Sequence, residues 1–253
     1  MVSLKTTDEI QKLKSAGRIV ALVFEAVADI IRPGISTWEI DQVAERIIRG
    51  EGATPSFLHY GHPPFPASTC ISINEEVVHG IPSRDRILVE GDIVSLDVGA
   101  FFDGYHGDAA RTYAVGKISP EKAALIRVTE ECFAKAFEAA VPGNRIGDVS
   151  FAVQQHAESF GYGVVRELTG HGIGTKLHEE PDVPNFGRKG HGMRIAPGLV
   201  IAVEPMINMG THKVRVLDDE WTIITADRLP SAHYENTIAI TADGPVITTK
   251  VNL

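Results

Sequence analysis

The chain repeats one order of local signals about 109 residues apart, and that recurrence restricts the fold more than any single motif. A capping box at Thr6 and Glu9 opens an apolar helical spacing through Ile10, Leu13, Val20, Phe24, Val27 and Ile31, which stops at Pro33-Gly34. A second box at Ser36 and Glu39 opens a shorter helix through Ile40, Val43 and Ile47 that fades at Gly50-Glu51-Gly52. Ser119-Pro120-Glu121 starts another helix ending at Pro142-Gly143, and a shorter one runs from about Asp148 to Phe160 before Gly161. Gly34 and Gly143 are 109 residues apart, Gly52 and Gly161 again 109, and Asp97 and Glu204 107. Two halves, about 5–115 and 116–253, that each feed strands into one curved sheet with helices outside would bury the strands and leave a site between the halves.

The strands carry acids at matching ends. Glu90-Gly91-Asp92-Ile93-Val94-Ser95-Leu96-Asp97 parallels Ala196-Pro197-Gly198-Leu199-Val200-Ile201-Ala202-Val203-Glu204, each a turn, an apolar strand and a terminal acid. Asp103-Gly104 is a strong two-residue hairpin signal, and it sets a register. With Phe102 facing Tyr105, Asp97 faces Ala110 and Asp108 faces Gly99, so the two aspartates are diagonal neighbours on one face. Diagonal positions lie roughly 7–8 Å apart at the backbone, close enough for two carboxylates to hold metal between them, with Gly99 leaving the space open. A solvated surface hairpin is the plainer reading of this pair alone.

Three further residues weigh against it. His171 lies in Thr169-Gly170-His171-Gly172-Ile173-Gly174, where glycines allow backbone to approach a ligand. Glu204 ends an apolar run that would bury it, and Pro205 stops the strand. Glu235 enters a strand over 234–240 and shares a face with Thr237 and Ala239. Four buried carboxylates repel one another unless protonated or neutralised by cations. With one imidazole they form a ligand set suited to Mn, Fe(II), Co or Zn, and two ions bridged by carboxylates would activate water as in two-metal aminopeptidases.

At 253 residues, 43% hydrophobic and 23% charged, the composition is that of an ordinary globular chain, which predicts one catalytic domain over 1–253. No run approaches the roughly 20 apolar residues of a membrane span, and the N-terminal ten residues are too polar for a signal peptide, so a cytoplasmic location is expected. Cys70 and Cys132 are expected to be reduced and packed. A formal charge of -9 and no basic tract argue against a nucleic-acid surface.

The order Asp97, Asp108, His171, Glu204, Glu235, together with His79-Gly80-Ile81-Pro82 and the glycine-rich segment around His171, resembles type I methionine aminopeptidase over nearly the whole length. It resembles the short bacterial form, beginning at Leu4-Lys5-Thr6 without a zinc-binding extension or a type II insert. The resemblance implies an α+β pita-bread fold, two pseudo-symmetric halves around a curved antiparallel sheet with helices on the outer face. It implies removal of the initiator methionine from nascent polypeptides in protein maturation, with a small second residue preferred, by dinuclear-metal-activated water attack on the first peptide bond. Asp97 would ligate one ion, His171 and Glu204 the other, and Asp108 and Glu235 both. Glu204 would also shuttle the proton, His178 would stabilise the oxyanion and His79 would contact the scissile amide, although as lone residues both histidines read more plainly as loop residues.

The methionine pocket would be lined by His59, His62, Phe65, Cys70, Leu177 and Trp221, with His59 and His62 departing from the family's usual cysteine and tyrosine. Asn74 and Ser231 match positions that hold a monovalent cation in relatives. The family expectation is a monomer. Met1-Val2 fits the small-residue rule, so the mature protein made in cells is expected to begin at Val2. Two other readings compete: a related prolyl peptidase of the prolidase or aminopeptidase P type, which usually carries an extra N-terminal domain, and a non-catalytic pita-bread binding module. The second would strand four carboxylates without metal.

Overall fold

The computed structural model describes residues 2–250, so the expectation for the Met1-Val2 bond lies partly outside the described residues. Helices α1 (Thr7–Ala28) and α2 (Thr37–Gly50) begin at the two capping boxes. In the first, Thr6 Oγ1 accepts from the Glu9 amide at 3.3 Å and the Glu9 carboxylate accepts from the Thr6 amide at 2.8 Å. Ser119 caps α3 (Pro120–Ala139), where Pro120 supplies the first-turn geometry without losing a hydrogen bond. Helix α4 (Ile146–Ser159) starts two residues ahead of the sequence expectation, because Asp148 sits inside its first turn and accepts from the Arg145 amide at 2.8 Å.

The strands before α3 are β1 (Thr54–Pro55), β2 (Thr69–Ile73), β3 (Glu76–Val78), β4 (Ile93–Phe102) and β5 (Tyr105–Ala114). After α4 come β6 (Gly163–Val164), β7 (Thr169–Gly172), β8 (Glu179–Pro184), β9 (Val200–Val203), β10 (Met206–Asn208) and β11 (Val214–Val216). The chain closes with β12 (Ile223–Thr225), β13 (Ser231–His233), β14 (Glu235–Thr241) and β15 (Gly244–Ile247). The main sheet runs β1-β4-β5-β14-β9-β7-β8, with β2 added to β4 and β15 to β14, and every pairing in it is antiparallel. Two small sheets, β13-β10-β6 and β11-β12-β3, flank it.

Strand alternation splits the chain into a helix-covered face and an open face. Leu96, Val98 and Ala100 of β4 pack with Val20, Phe24 and Ile40 of the first helix pair. Ile201 and Val203 of β9 and Ile238 of β14 pack with Leu125, Val128 and Val153 of the second. Each such aliphatic side chain contributes about 1.5–3 kcal/mol by leaving water. The residues between them, Asp97, Ala202, Glu235, Thr237 and Ala239, therefore point to the other face. No helix among the described residues is long and apolar enough to cross a membrane.

Candidate metal centre and substrate cavity

Two rows of side chains cross the open face. In the first, Asp97 on β4 is opposite Ala110 on β5, and Ala110 is opposite Glu235 on β14. In the second, Thr237 on β14 is opposite Ala202 on β9, and Ala202 is opposite His171 on β7. Asp108 joins that row through Thr237, whose hydroxyl accepts from the Asp108 amide at 3.2 Å and donates to its carbonyl at 2.8 Å. Glu204 follows Val203 at the end of β9, so it shares the face of Ala202. Five ligand-type residues thus come from β4, β5, β7, β14 and the end of β9, with alanine between them.

The register at β4 and β5 is the one the turn dictates. Asp103 at φ 47 and Gly104 at φ 82 occupy the left-handed region that a tight hairpin turn needs, and they set Phe102 opposite Tyr105 and Gly99 opposite Asp108. Gly99, however, does not leave open space: a Cβ there would stand 2.7 Å from Cε1 of Phe57, which fills it and forms part of the cavity wall. The glycines around His171 likewise serve the sheet rather than a ligand. A Cβ on Gly170 would meet the Ala202 carbonyl at 2.4 Å, and one on Gly172 the Glu180 carbonyl at 2.2 Å.

Nδ1 of His171 donates to the Gly172 carbonyl at 2.9 Å, so its proton is fixed there and Nε2 presents a lone pair. Nε2 stands 3.6 Å from Glu204 Oε1 and 3.9 Å from Asp108 Oδ2. One ligand atom each from Asp108, His171 and Glu235 lies within 4.8 Å of the others. Burial raises the Asp97 carboxyl to about 7. Burial, reinforced by neighbouring carboxylates, pushes Asp108, Glu204 and Glu235 well above the usual carboxylate range. Burial lowers His171 to about 3. Oδ1 of Asp97, Oδ1 of Asp108 and Oε1 of Glu235 are buried without a protein partner, and oxygens so placed fit a cation. Behind the site, Arg111 donates to the main-chain oxygens of Ala110 and Glu235 and to Asn236 Oδ1.

The carboxylates close one end of a cavity of about 100 Å³. The other end is apolar, walled by Phe57, Tyr60, Phe65, Cys70, Leu177 and Trp221. His59 and His62, expected in this wall, are exposed and outside it. The reason is the path of the intervening loop. His59 has φ 66, and Gly61, at φ 77, lies so close to Trp221 that a Cβ would come 2.5 Å from its ring, which brings one side of the otherwise exposed Tyr60 to the cavity in place of its neighbours. Phe57 and Tyr60 had not been expected in the wall; the one signal for them in the sequence is an aromatic pair three residues apart just before Gly61. Cys70 and Cys132 are free thiols, both buried.

His79 sits at φ 61, a strained conformation that carries its ring to the cavity, 5.9 Å from the Trp221 ring. Burial lowers its pKa to about 4. His178 stands at the mouth with its ring edge-on to His171 at 4.2 Å. His233, unnoticed in the sequence, is buried beneath the site with neither ring nitrogen partnered and Nε2 3.9 Å from Glu235 Oε2.

Asn74 and Ser231 meet through their main chains. The Asn74 main-chain oxygen accepts from the Ser231 amide at 2.8 Å, and the Ser231 hydroxyl donates to the Ile207 carbonyl at 3.3 Å. Asn74 Oδ1 accepts from the Lys122 ammonium at 2.8 Å. Lys122 brings a positive charge to the Asn74 side chain, while the Asn74 carbonyl and the Ser231 hydroxyl each keep a lone pair beyond the bond named.

Residues 11–242 match the metallopeptidase family M24. A methionine aminopeptidase from Clostridium acetobutylicum is 51% identical over 249 residues, covering 98% of this chain and 99% of that protein. The crystal structure of a methionine aminopeptidase from Thermotoga maritima superposes with a TM-score of 0.96 at 43% identity, over 99% of this chain and 100% of that one. A prolidase from Pyrococcus furiosus superposes with a TM-score of 0.80 at 25% identity, and only 66% of its chain is covered. These neighbours share the pita-bread arrangement of a curled antiparallel sheet backed by four helices. The chain belongs to metallopeptidase family M24, among its methionine aminopeptidases.

Proposed function

We propose that the chain removes the initiator methionine from polypeptide N-termini when the second residue is small, with Asp97, Asp108, His171, Glu204 and Glu235 holding two divalent ions. One observation carries this: a single cavity joins an apolar wall of Phe57, Phe65, Leu177 and Trp221 to carboxylates with unpartnered oxygens. Cobalt, manganese, iron(II) and zinc all suit four carboxylates and an imidazole. When bound, the ions polarise the scissile carbonyl and supply an activated water.

The chain's residues do the rest. Phe65, Leu177 and Trp221 hold the methionine side chain, which tolerates irregular apolar walls. Glu204, half-buried beside His171, carries a proton at its carboxylate toward the leaving amine. His79 contacts the scissile amide, and His178 donates to the carbonyl oxygen as charge develops on it. The substrates would be nascent chains in the cytoplasm and the enzyme a monomer. The segments 5–115 and 116–253 would be two copies of one ancestral unit, with Asp97 and Glu204 as equivalent ligands.

Comparing Met-Ala-Ser, Met-Leu-Ser and Gly-Pro as substrates of the metal-loaded protein tests the reading. Cleavage of the first alone is expected. Cleavage of Gly-Pro with rejection of both methionyl peptides would replace it with a prolyl peptidase.

A further inference from the structure

Tyr60 reaches the site from a loop closed by its own backbone. The Tyr60 amide donates to the Phe57 carbonyl at 2.9 Å, the Phe65 amide to the Tyr60 carbonyl at 2.8 Å and the His59 amide to the Phe65 carbonyl at 2.8 Å. Gly61 packs on Trp221 beside it. The phenol is therefore delivered in a fixed place, with its oxygen 2.5 Å from Nδ1 of His178 and the two rings edge-on at 5.2 Å.

Which atom donates decides what His178 can do. Among the described residues the Tyr60 hydroxyl has no other protein partner, and Nε2 of His178 has none. A phenol is a strong donor and a weak acceptor. Were Nδ1–H to donate to Tyr60, the phenol proton would be left to solvent, and Nε2 would face the cavity as a bare lone pair unable to donate. In the reverse arrangement the phenol gives its proton to Nδ1, and Nε2 carries a proton that is free to be donated.

We propose that Tyr60 is a positioning residue: its hydroxyl donates to Nδ1 of His178, which places the ring proton on Nε2, where it can be given as a hydrogen bond to the scissile carbonyl oxygen. This rests on the function proposed above. The proton on Nε2 is not transferred; the hydrogen bond only shortens as charge grows on the oxygen. Edge-on packing of His178 against His171 fixes the second axis of the ring, so Tyr60 and His171 together set both its angle and its tautomer.

The test uses zinc-loaded protein with 15N-labelled histidine, the His178 signals being assigned by their loss in His178→Ala. In the wild type the nitrogen shifts are expected to report protonation at Nε2, and in Tyr60→Phe a mixture of tautomers. On Met-Ala-Ser, Tyr60→Phe is expected to lower kcat about tenfold with KM within about twofold, since the lost bias weakens one oxyanion donor without removing it. Tyr60→Leu is expected to lose the same factor. Protonation at Nδ1 in the wild type overturns the proposal, as does wild-type kcat in Tyr60→Phe with loss only in Tyr60→Leu, which would assign Tyr60 to packing. Absence of methionine release from wild-type holoenzyme overturns the proposed function instead, an outcome told apart because the nitrogen signals are read without turnover.

Discussion

The Thr237 hydroxyl grips both polar ends of Asp108, accepting from its amide and donating to its carbonyl, at the point where the β5–β14 ladder gives out after Asn236 and Ala109. A side chain thus continues the ladder under a metal-ligand position. Thr237 is fully buried, so Thr237→Val keeps the shape and strands both groups. We expect a loss of about 1–3 kcal/mol, read by thermal unfolding of the zinc-loaded protein, and metal affinity weaker by roughly tenfold because Asp108 loses its support. An unchanged melting temperature and affinity would show that the hydroxyl carries neither role.

The clustered carboxyls give the metal-free protein a pH dependence with a definite sign. A carboxyl whose pKa is raised on folding favours the folded state while protonated. For Asp97 that contribution is complete below its ordinary value of 3.8 and is lost as pH rises through about 7. In chelator, Asp97→Asn is therefore expected to melt progressively higher than the wild type between pH 4 and about 8, and the wild type's affinity for zinc to rise over the same window as ligands shed protons. A melting-temperature difference that stays flat across this range contradicts the buried, raised carboxyl.

The apolar wall can be mapped by kinetics. Phe65→Ala and Trp221→Ala are expected to raise KM for Met-Ala-Ser about tenfold or more, as buried contacts with the methionine are lost. His59→Ala and His62→Ala, whose side chains face solvent, are expected to leave it within about twofold. A large effect at either histidine would restore it to the pocket.

Arg111 ties the ligand strand from behind, with its guanidinium 4.3 Å over the Tyr234 ring and donating to the Glu235 carbonyl. Arg111→Met is expected to destabilise the protein by about 2–3 kcal/mol, since three acceptors lose a charged donor. Arg111→Lys should recover little, because an ammonium cannot span the fork. Recovery of full stability by lysine would mean that charge alone matters at this position.

The parts of this structure legible in the sequence are those governed by local rules. Capping boxes at Thr6 and Ser36 place the helices, and the Asp103-Gly104 turn sets every pairing from Ile93 with Ala114 to Phe102 with Tyr105. Strand period then puts Asp97 and Asp108 on one face. What was not legible depends on contacts distant in sequence. The loop at 57–66 takes its path from Gly61 against Trp221, and no local signal says that Tyr60 rather than His59 or His62 lines the cavity. Gly99 offered the same trap: its missing Cβ makes room for Phe57, not for metal. Lys122 comes from α3 to occupy Asn74, a pairing that spans 48 residues and both helix pairs.

The most direct measurement is release of methionine from Met-Ala-Ser by metal-stripped protein re-supplied in turn with cobalt, manganese, iron(II) or zinc, beside Asp108→Ala treated the same way. Release that returns with at least one metal and is absent from the variant is the expected result. Release that needs no metal, or that survives in Asp108→Ala at wild-type rate, would contradict the assignment of this carboxylate cluster as the metal centre.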